Sequence, residues 1–188
     1  MSVIATEGAD TLTSSGFGQE TLHGLGGDDV IQAVSGGFLL VYGDGGSDTL
    51  LGSDGPDALT AGTRNDYLET DRSPNLLLGA GGNDKLSGAG GPDTLDGGGG
   101  DDSIEGLQGA DILRGGDGSD NIFAEWGDAE VDGGAGNDII YISTMPGEPF
   151  RLAAVAGGAG DDTLWVRVTA APLKARAAGR NLLSLIHI

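Results

Sequence analysis

From Gly43 to Tyr141 the chain repeats every nine residues, eleven units end to end with no gap or insertion. With units beginning at Gly43, Gly52, Ala61 and so on to Gly133, the sixth slot is Asp in nine units and fails only at Asn75 and Ala129. The eighth slot is always aliphatic: Leu50, Leu59, Leu68, Leu77, Leu86, Leu95, Ile104, Leu113, Ile122, Val131 and Ile140. A fixed internal period of this kind constrains the architecture more than any local propensity, because each unit can bury its apolar face only against its neighbours.

The unit itself divides in two. The first six slots of a good copy, such as Gly97-Gly98-Gly99-Gly100-Asp101-Asp102, cannot be the interior of a helix or strand. Consecutive glycines permit positive φ and let carbonyls turn inward without a Cβ clash. The last three, Ser103-Ile104-Glu105, are a minimal strand with one aliphatic inward and two polar neighbours outward. Turn plus short strand, repeated, winds into a solenoid. Two units make one coil, with a sheet on each side and the aliphatics meeting between them.

Composition narrows the function. The 38 glycines are about three times average usage and would suggest low complexity. A disordered acidic linker, however, has no reason to keep an aliphatic slot in phase. The formal net charge is −20, and all 29 acids precede residue 166 against five of the nine Lys and Arg. Nucleic acid and anionic membranes are therefore poor partners and cations good ones. Cysteine is absent, so neither disulfides nor thiolate zinc sites hold the fold. No apolar run is long enough to span a bilayer, and Met1–Ser15 lacks the basic start and apolar core of a cleaved signal peptide.

Outside the regular array the copies are imperfect. Residues 1–42 hold irregular units: Gly8 to Leu12 is a truncated copy, Ser15 to His23 has Glu20 in the Asp slot, and Gly24 to Ile31 is a good copy. Ser14 is one extra residue, and Ala33 to Tyr42 breaks the register by one. Its Phe38-Leu39-Leu40-Val41 run reads as a buried or edge strand. Residues 142–156, with Pro146 and Pro149, read as a loop insert, and 157–165 as the last repeat. Residues 166–188 form a basic tail outside the repeat. Its end, 183–188, resembles the translation of a sequencing adapter and is set aside, the alternative being an amphipathic or secretion-signal helix.

The pattern G-G-x-G-x-D-x-U-x resembles the RTX, or haemolysin-type, calcium-binding repeat. The resemblance runs continuously over 43–141, with outlying copies at 5–32 and 157–165. It implies an all-β fold, a right-handed parallel β-roll, and several Ca²⁺ ions held between turns one coil apart. Ligand partners are then two units apart, which splits the array into two columns. The first is Asp48, Asp66, Asp84, Asp102, Asp120 and Asp138; the second is Asp57, Asn75, Asp93, Asp111 and Ala129, interrupted twice.

Calcium takes six to eight hard oxygens, and two carboxylates with four inward carbonyls would supply about six. On the family pattern, Asp84 and Asp102 are joined by the carbonyls of Ala80, Gly82, Gly97 and Gly99. Asp102 and Asp120 are joined by Gly98, Gly100, Gly115 and Asp117, and Asp120 and Asp138 by Gly116, Gly118, Gly133 and Ala135. In the second column Asp93 and Asp111 are joined by Ala89, Gly91, Gly106 and Gln108. Asp48, Asp57 and Asp66 are weaker candidates, in part because Arg64 replaces a turn glycine next to Asp66.

No catalytic constellation is expected: the sequence has no H-E-x-x-H, G-x-S-x-G or P-loop pattern, and His23 lacks partners for acid–base work. Trp126 and Trp165 read as packing or capping residues, with no recurring aromatic stripe, and Lys85 and Arg114 as outward strand positions. The resemblance implies a calcium-binding module of a secreted or cell-surface protein. It would fold on reaching extracellular calcium and leave the cell through a type I secretion apparatus, with any enzyme activity in another part of the parent. An adhesin stalk is the second reading. An ice-binding solenoid is disfavoured because Thr63, Asn65, Asn83 and Asn137 are too sparse to form a flat rank.

Overall fold

The computed structural model describes residues 2–14, 19–33, 37–125, 127–143 and 154–167. Among them every regular element is a strand. In chain order these are β1 (Ser2–Ile4), β2 (Thr11–Thr13), β3 (Glu20–His23), β4 (Val30–Gln32), β5 (Leu39–Asp44) and β6 (Thr49–Leu51). Then come β7 (Asp57–Gly62), β8 (Tyr67–Glu69), β9 (Leu76–Gly81), β10 (Lys85–Ser87), β11 (Thr94–Gly99) and β12 (Ser103–Glu105). The last six are β13 (Ile112–Asp117), β14 (Asn121–Ala124), β15 (Glu130–Ala135), β16 (Ile139–Ser143), β17 (Val155–Ala159) and β18 (Thr163–Arg167).

Odd-numbered strands form one nine-stranded parallel sheet and even-numbered strands another, each in sequence order. Each coil thus gives one strand to either sheet, and the chain is the parallel β-roll its period implies. Its winding takes the right-handed sense of parallel crossovers. Within the array, partners lie two repeats apart, as in Leu77↔Leu95↔Leu113. The irregular N-terminal units belong to the same sheets with a slightly longer step, as in Thr11↔Val30↔Thr49. The strands therefore stay in phase across each extra residue. Ser14, the first of them, is buried and donates its amide to the Gln32 carbonyl at 3.0 Å.

The Leu39–Asp44 stretch is a strand of the odd sheet, with Leu39 and Val41 facing inward. Across the insert the step lengthens again, as in Val131↔Val155 and Ile139↔Thr163, and pairing resumes beyond it. Ile142 and Ser143 complete β16, and Val155 and Ala156 open β17. Residues 144–153, Trp126 and the tail from 168 onward lie outside the described residues.

The core is one file of side chains from each sheet. Leu22, Ile31, Leu50, Leu59, Leu68, Leu77, Leu86, Leu95, Ile104, Leu113 and Ile122 are completely sealed from solvent. Burying one such side chain contributes roughly 1.5–3 kcal/mol, so this thin core is additive along the roll rather than concentrated at one centre.

The three-residue strand expected from the sequence holds for most of the even sheet, while the odd-sheet strands from β5 to β15 have six residues. They continue past the aliphatic into the glycine-rich slots, where Gly98 pairs with Gly116 and Gly99 with Asp117. The first-slot glycines Gly97 and Gly115 drop out of the pairing, so each strand bends there as it enters the turn.

Lys85 and Arg114 point outward, the former over the Tyr67 ring and the latter to Glu130 at 3.0 Å. His23 stacks on Tyr42 on the outer face of the odd sheet, 3.3 Å from Asp44 Oδ2. One reading from sequence changes. Phe123, Tyr141 and Trp165 occupy one register row on the outer face of the even sheet, with Phe123 and Tyr141 stacked at 4.9 Å. Unequal spacing along the chain conceals this aromatic row, and Trp165, 43% exposed on the terminal strand β18, stands at the end of the sheet rather than in the core.

Candidate calcium sites

The turns that follow odd strands lie along one edge of the roll and carry the first column. Those that follow even strands lie along the other and carry the second. Burial of the sixth-slot carboxylates is nearly complete: Asp48, Asp57, Asp66, Asp84, Asp93, Asp102, Asp111, Asp120 and Asp138 are each 4% exposed or less. A carboxylate is rarely buried without a partner, because desolvating a charge is costly.

Half of each carboxylate is accounted for. In the first column the amide of Asp48 donates to Asp66 Oδ1, Asp66 to Asp84 at 2.8 Å, and Asp84 to Asp102 at 2.8 Å. Asp102 then donates to Asp120 at 2.8 Å and Asp120 to Asp138 at 2.9 Å. The ladder continues at both ends, from Asp10 through Asp29 to Asp48, and from Asp138 to Asp162 Oδ1 at 3.1 Å. Asp29 and Asp162 sit in good outlying copies, so the altered steps alone kept them off the sequence-derived column.

The other half is not. Oδ2 of Asp29, Asp48, Asp66, Asp84, Asp93, Asp102, Asp111, Asp120 and Asp138 is buried and has no hydrogen-bond partner. In all of these turns but that of Asp66, which begins at Ala61, the oxygen faces a first-slot glycine. A Cβ built on Gly97 would run into Asp102 Oδ2 and lie 2.7 Å from the Gly115 carbonyl; Gly79, Gly115 and Gly133 stand in the same relation to Asp84, Asp120 and Asp138. A buried carboxylate oxygen, a nearby carbonyl and a space only glycine leaves open together make a cradle for a hard cation. No group of three or more His, Cys, Asp or Glu comes together among the described residues. A cation here would take two carboxylates and draw its other ligands from carbonyls, a donor set of hard oxygens that suits Ca²⁺.

The turn backbone supports this. Positive φ recurs at the second slot, at Ala80, Ala89, Gly98, Leu107, Gly116 and Gly134, and at the fourth, at Gly82, Gly91, Gly100, Gly118 and Gly136. The third-slot carbonyls of Gly99, Asp117 and Ala135 accept the amides of Gly82, Gly100 and Gly118 at 2.7–2.8 Å. Each carbonyl oxygen has a second lone pair, so this ladder leaves a donor position for a metal.

Electrostatics make the same point. Burial pushes Asp66, Asp93 and Asp102 up to about 7 and Asp120 up to about 6. The amide that each accepts works the other way, and carboxylates one coil distant add to the rise. Asp29, Asp48, Asp84, Asp111 and Asp138 are raised for the same first cause.

The weaker candidates separate. Asp48 and Asp66 belong to the same amide-to-carboxylate ladder as the rest of the first column, despite Arg64. Asp57 differs: its two oxygens accept the amides of Leu39 at 3.1 Å and Ser53 at 2.8 Å, and burial still raises its pKa.

Residues 2–31, 14–36, 42–77, 60–95, 78–113, 96–129, 105–140 and 155–166 match the RTX calcium-binding nonapeptide repeat (4 copies), in overlapping blocks that cover most of the chain. No curated protein matches. Phased Asp columns, positive-φ glycine turns, a parallel roll and a family match along most of its length lead to one assignment: the chain belongs to the RTX calcium-binding nonapeptide repeat family.

Proposed function

We propose that this chain is a calcium-switched folding module of a secreted protein, wound only when Ca²⁺ fills its turns. The observation that carries the reading is the row of buried, unpartnered Asp Oδ2 atoms. At neutral pH the wound chain must either protonate these carboxylates or compensate them with cations, since like charges stacked coil on coil in a dry interior repel. A core of one aliphatic per turn offsets neither that repulsion nor the ordering entropy of so many glycines. Ions that bind only the wound chain convert their affinity into folding free energy.

The sites supported best are Asp84–Asp102, Asp102–Asp120 and Asp120–Asp138 on one edge and Asp93–Asp111 on the other. On loading, the carboxylates supply charge and the turn carbonyls complete the shell, while the strands keep the turns one coil apart. Extracellular calcium modules work at roughly 10⁻⁴–10⁻³ M, so such a chain stays unwound in the cytosol and winds outside. Export as an unwound chain through a type I secretion apparatus is what the family resemblance implies and fits that logic, and the roll itself needs no catalytic group.

Circular dichroism of the full chain during calcium titration from EDTA tests the switch. The β signal is expected to grow cooperatively with Ca²⁺ and little with Mg²⁺, which demands tighter octahedral geometry. A full β signal in EDTA at neutral pH, or equal action by magnesium, would overturn the reading.

A further inference from the structure

The two second-column turns that lack a sixth-slot Asp close in different ways. In Thr70 to Asn75 the gap is filled by neutral groups. The Thr70 hydroxyl donates to the Gly88 carbonyl at 3.2 Å, Asn75 Oδ1 accepts the Asp57 amide at 2.9 Å, and Asn75 Nδ2 donates to the Ser73 carbonyl at 2.7 Å. In that turn the sixth slot satisfies itself and brings no charge.

The turn from Ala124 to Ala129 is closed otherwise. Ala129 occupies the sixth slot, but Asp128, from the fifth, is turned inward and is only 4% exposed. The fifth slot elsewhere on this edge is Pro56, Pro74, Pro92 and Ala110, all exposed. Asp128 Oδ2 accepts the Glu125 amide at 2.8 Å. Asp128 Oδ1 and Asp111 Oδ2 are both buried with no close hydrogen bond, and the Asp128 carboxyl is approached by both the carboxyl group and the amide of Asp111. Gly127, at φ +118°, passes beneath the Gly109 carbonyl, where a Cβ would approach that oxygen to 2.7 Å. The backbone thus delivers a carboxylate to the turn interior one residue early.

We infer that Asp111 and Asp128 hold a further divalent cation, a Ca²⁺ site outside the nonapeptide frame that extends the second column past Asp93–Asp111. Two buried carboxylates facing each other repel unless a proton or a dication lies between them, and the Gly109 carbonyl that faces Gly127 is a hard oxygen of the kind calcium takes. The inference rests on the calcium reading of the roll as a whole.

Equilibrium dialysis of the full chain against Ca²⁺, with circular dichroism on the same samples, tests it. Asp128→Asn is expected to bind one ion fewer at saturation and to keep its β signal; an unchanged ion count overturns the site. Should Asp128→Asn fail to wind, the double variant Asp128→Ala with Ala129→Asp decides, because it returns the carboxylate to the sixth slot. A count equal to that of the wild type supports the site, and one ion more than the wild type overturns it, because the restored pair would then be new. Wild-type chain that binds no calcium at all would instead defeat the general reading, and this inference with it.

Discussion

At the scale of single residues, the first and second slots of a turn answer to different constraints. Gly97 has no room for a Cβ, which would strike Asp102 Oδ2 and approach the Gly115 carbonyl to 2.7 Å. Ala80 has the opposite problem: at φ +76° it holds a Cβ in the left-handed region, a strain of roughly 1–2 kcal/mol. Gly97→Ala should therefore lower the melting temperature in saturating calcium, while Ala80→Gly should raise it, the stability gain being about 0.5–1 kcal/mol once the extra entropy of glycine is subtracted. Two shifts of the same sign would contradict this account of the turns. Carboxylates separate as well. Asp102 sits between Asp84 and Asp120 with a free Oδ2, whereas both oxygens of Asp57 accept backbone amides. Asp102→Ala should reduce the cooperativity of calcium-induced winding more than Asp57→Ala does, as read from the Hill slopes of matched titrations; equal slopes would remove the shared-ion arrangement.

At the scale of strands and turns, the aliphatic slot is where most of the packing resides, but its weight depends on position. Leu86 is sealed between neighbouring coils, whereas Leu164, in the same slot on the edge strand β18, is 46% exposed. Leu86→Ala should cost about 2–5 kcal/mol and shift the calcium midpoint well upward, while Leu164→Ala should cost less than about 1 kcal/mol. Comparable midpoints for the two variants would show that the core is not additive along the roll. The same contrast explains what could be read in advance. The nine-residue period predicts strands on alternating sides and the inward file from Leu50 to Ile140, because each follows from spacing alone, while the split of the Asp residues into two columns comes with the family resemblance. Three features depend on the local path of the backbone and were not legible. Odd-sheet strands run on through glycines that read as turn, because pairing such as Gly98↔Gly116 needs only a close neighbour of matching backbone. Phe123, Tyr141 and Trp165 align only once the insert after β16 is bridged. Asp128 enters its turn from the fifth slot, and a frame that counts positions reads Ala129 and sees a gap.

For the molecule as a whole, calcium and protons compete for the same buried oxygens, and the sign of the pH dependence follows. Asp66, Asp93 and Asp102 titrate near 7 and Asp120 near 6 in the wound chain, against 3.8 for an unperturbed carboxyl. Between those values the wound chain binds more protons than the unwound chain, so without metal its stability falls as pH rises. The proton-linked contribution is fully present below about pH 3.8 and is lost as pH passes through about 6–7. Metal-free chain in EDTA should therefore gain β signal when acidified from about pH 8 toward pH 4. With calcium present the dependence reverses: protons must leave before the ion enters, so the calcium concentration at half-winding should rise as pH falls through about 7 to 6. Titrations by circular dichroism across this range, with EDTA and with calcium, separate the two branches. A metal-free signal that is flat with pH, or that is lost on acidification, would mean that the stacked carboxylates are not what holds the roll open. Opposite slopes in the two series would make charge compensation the common cause, supplied by protons in one and by calcium in the other.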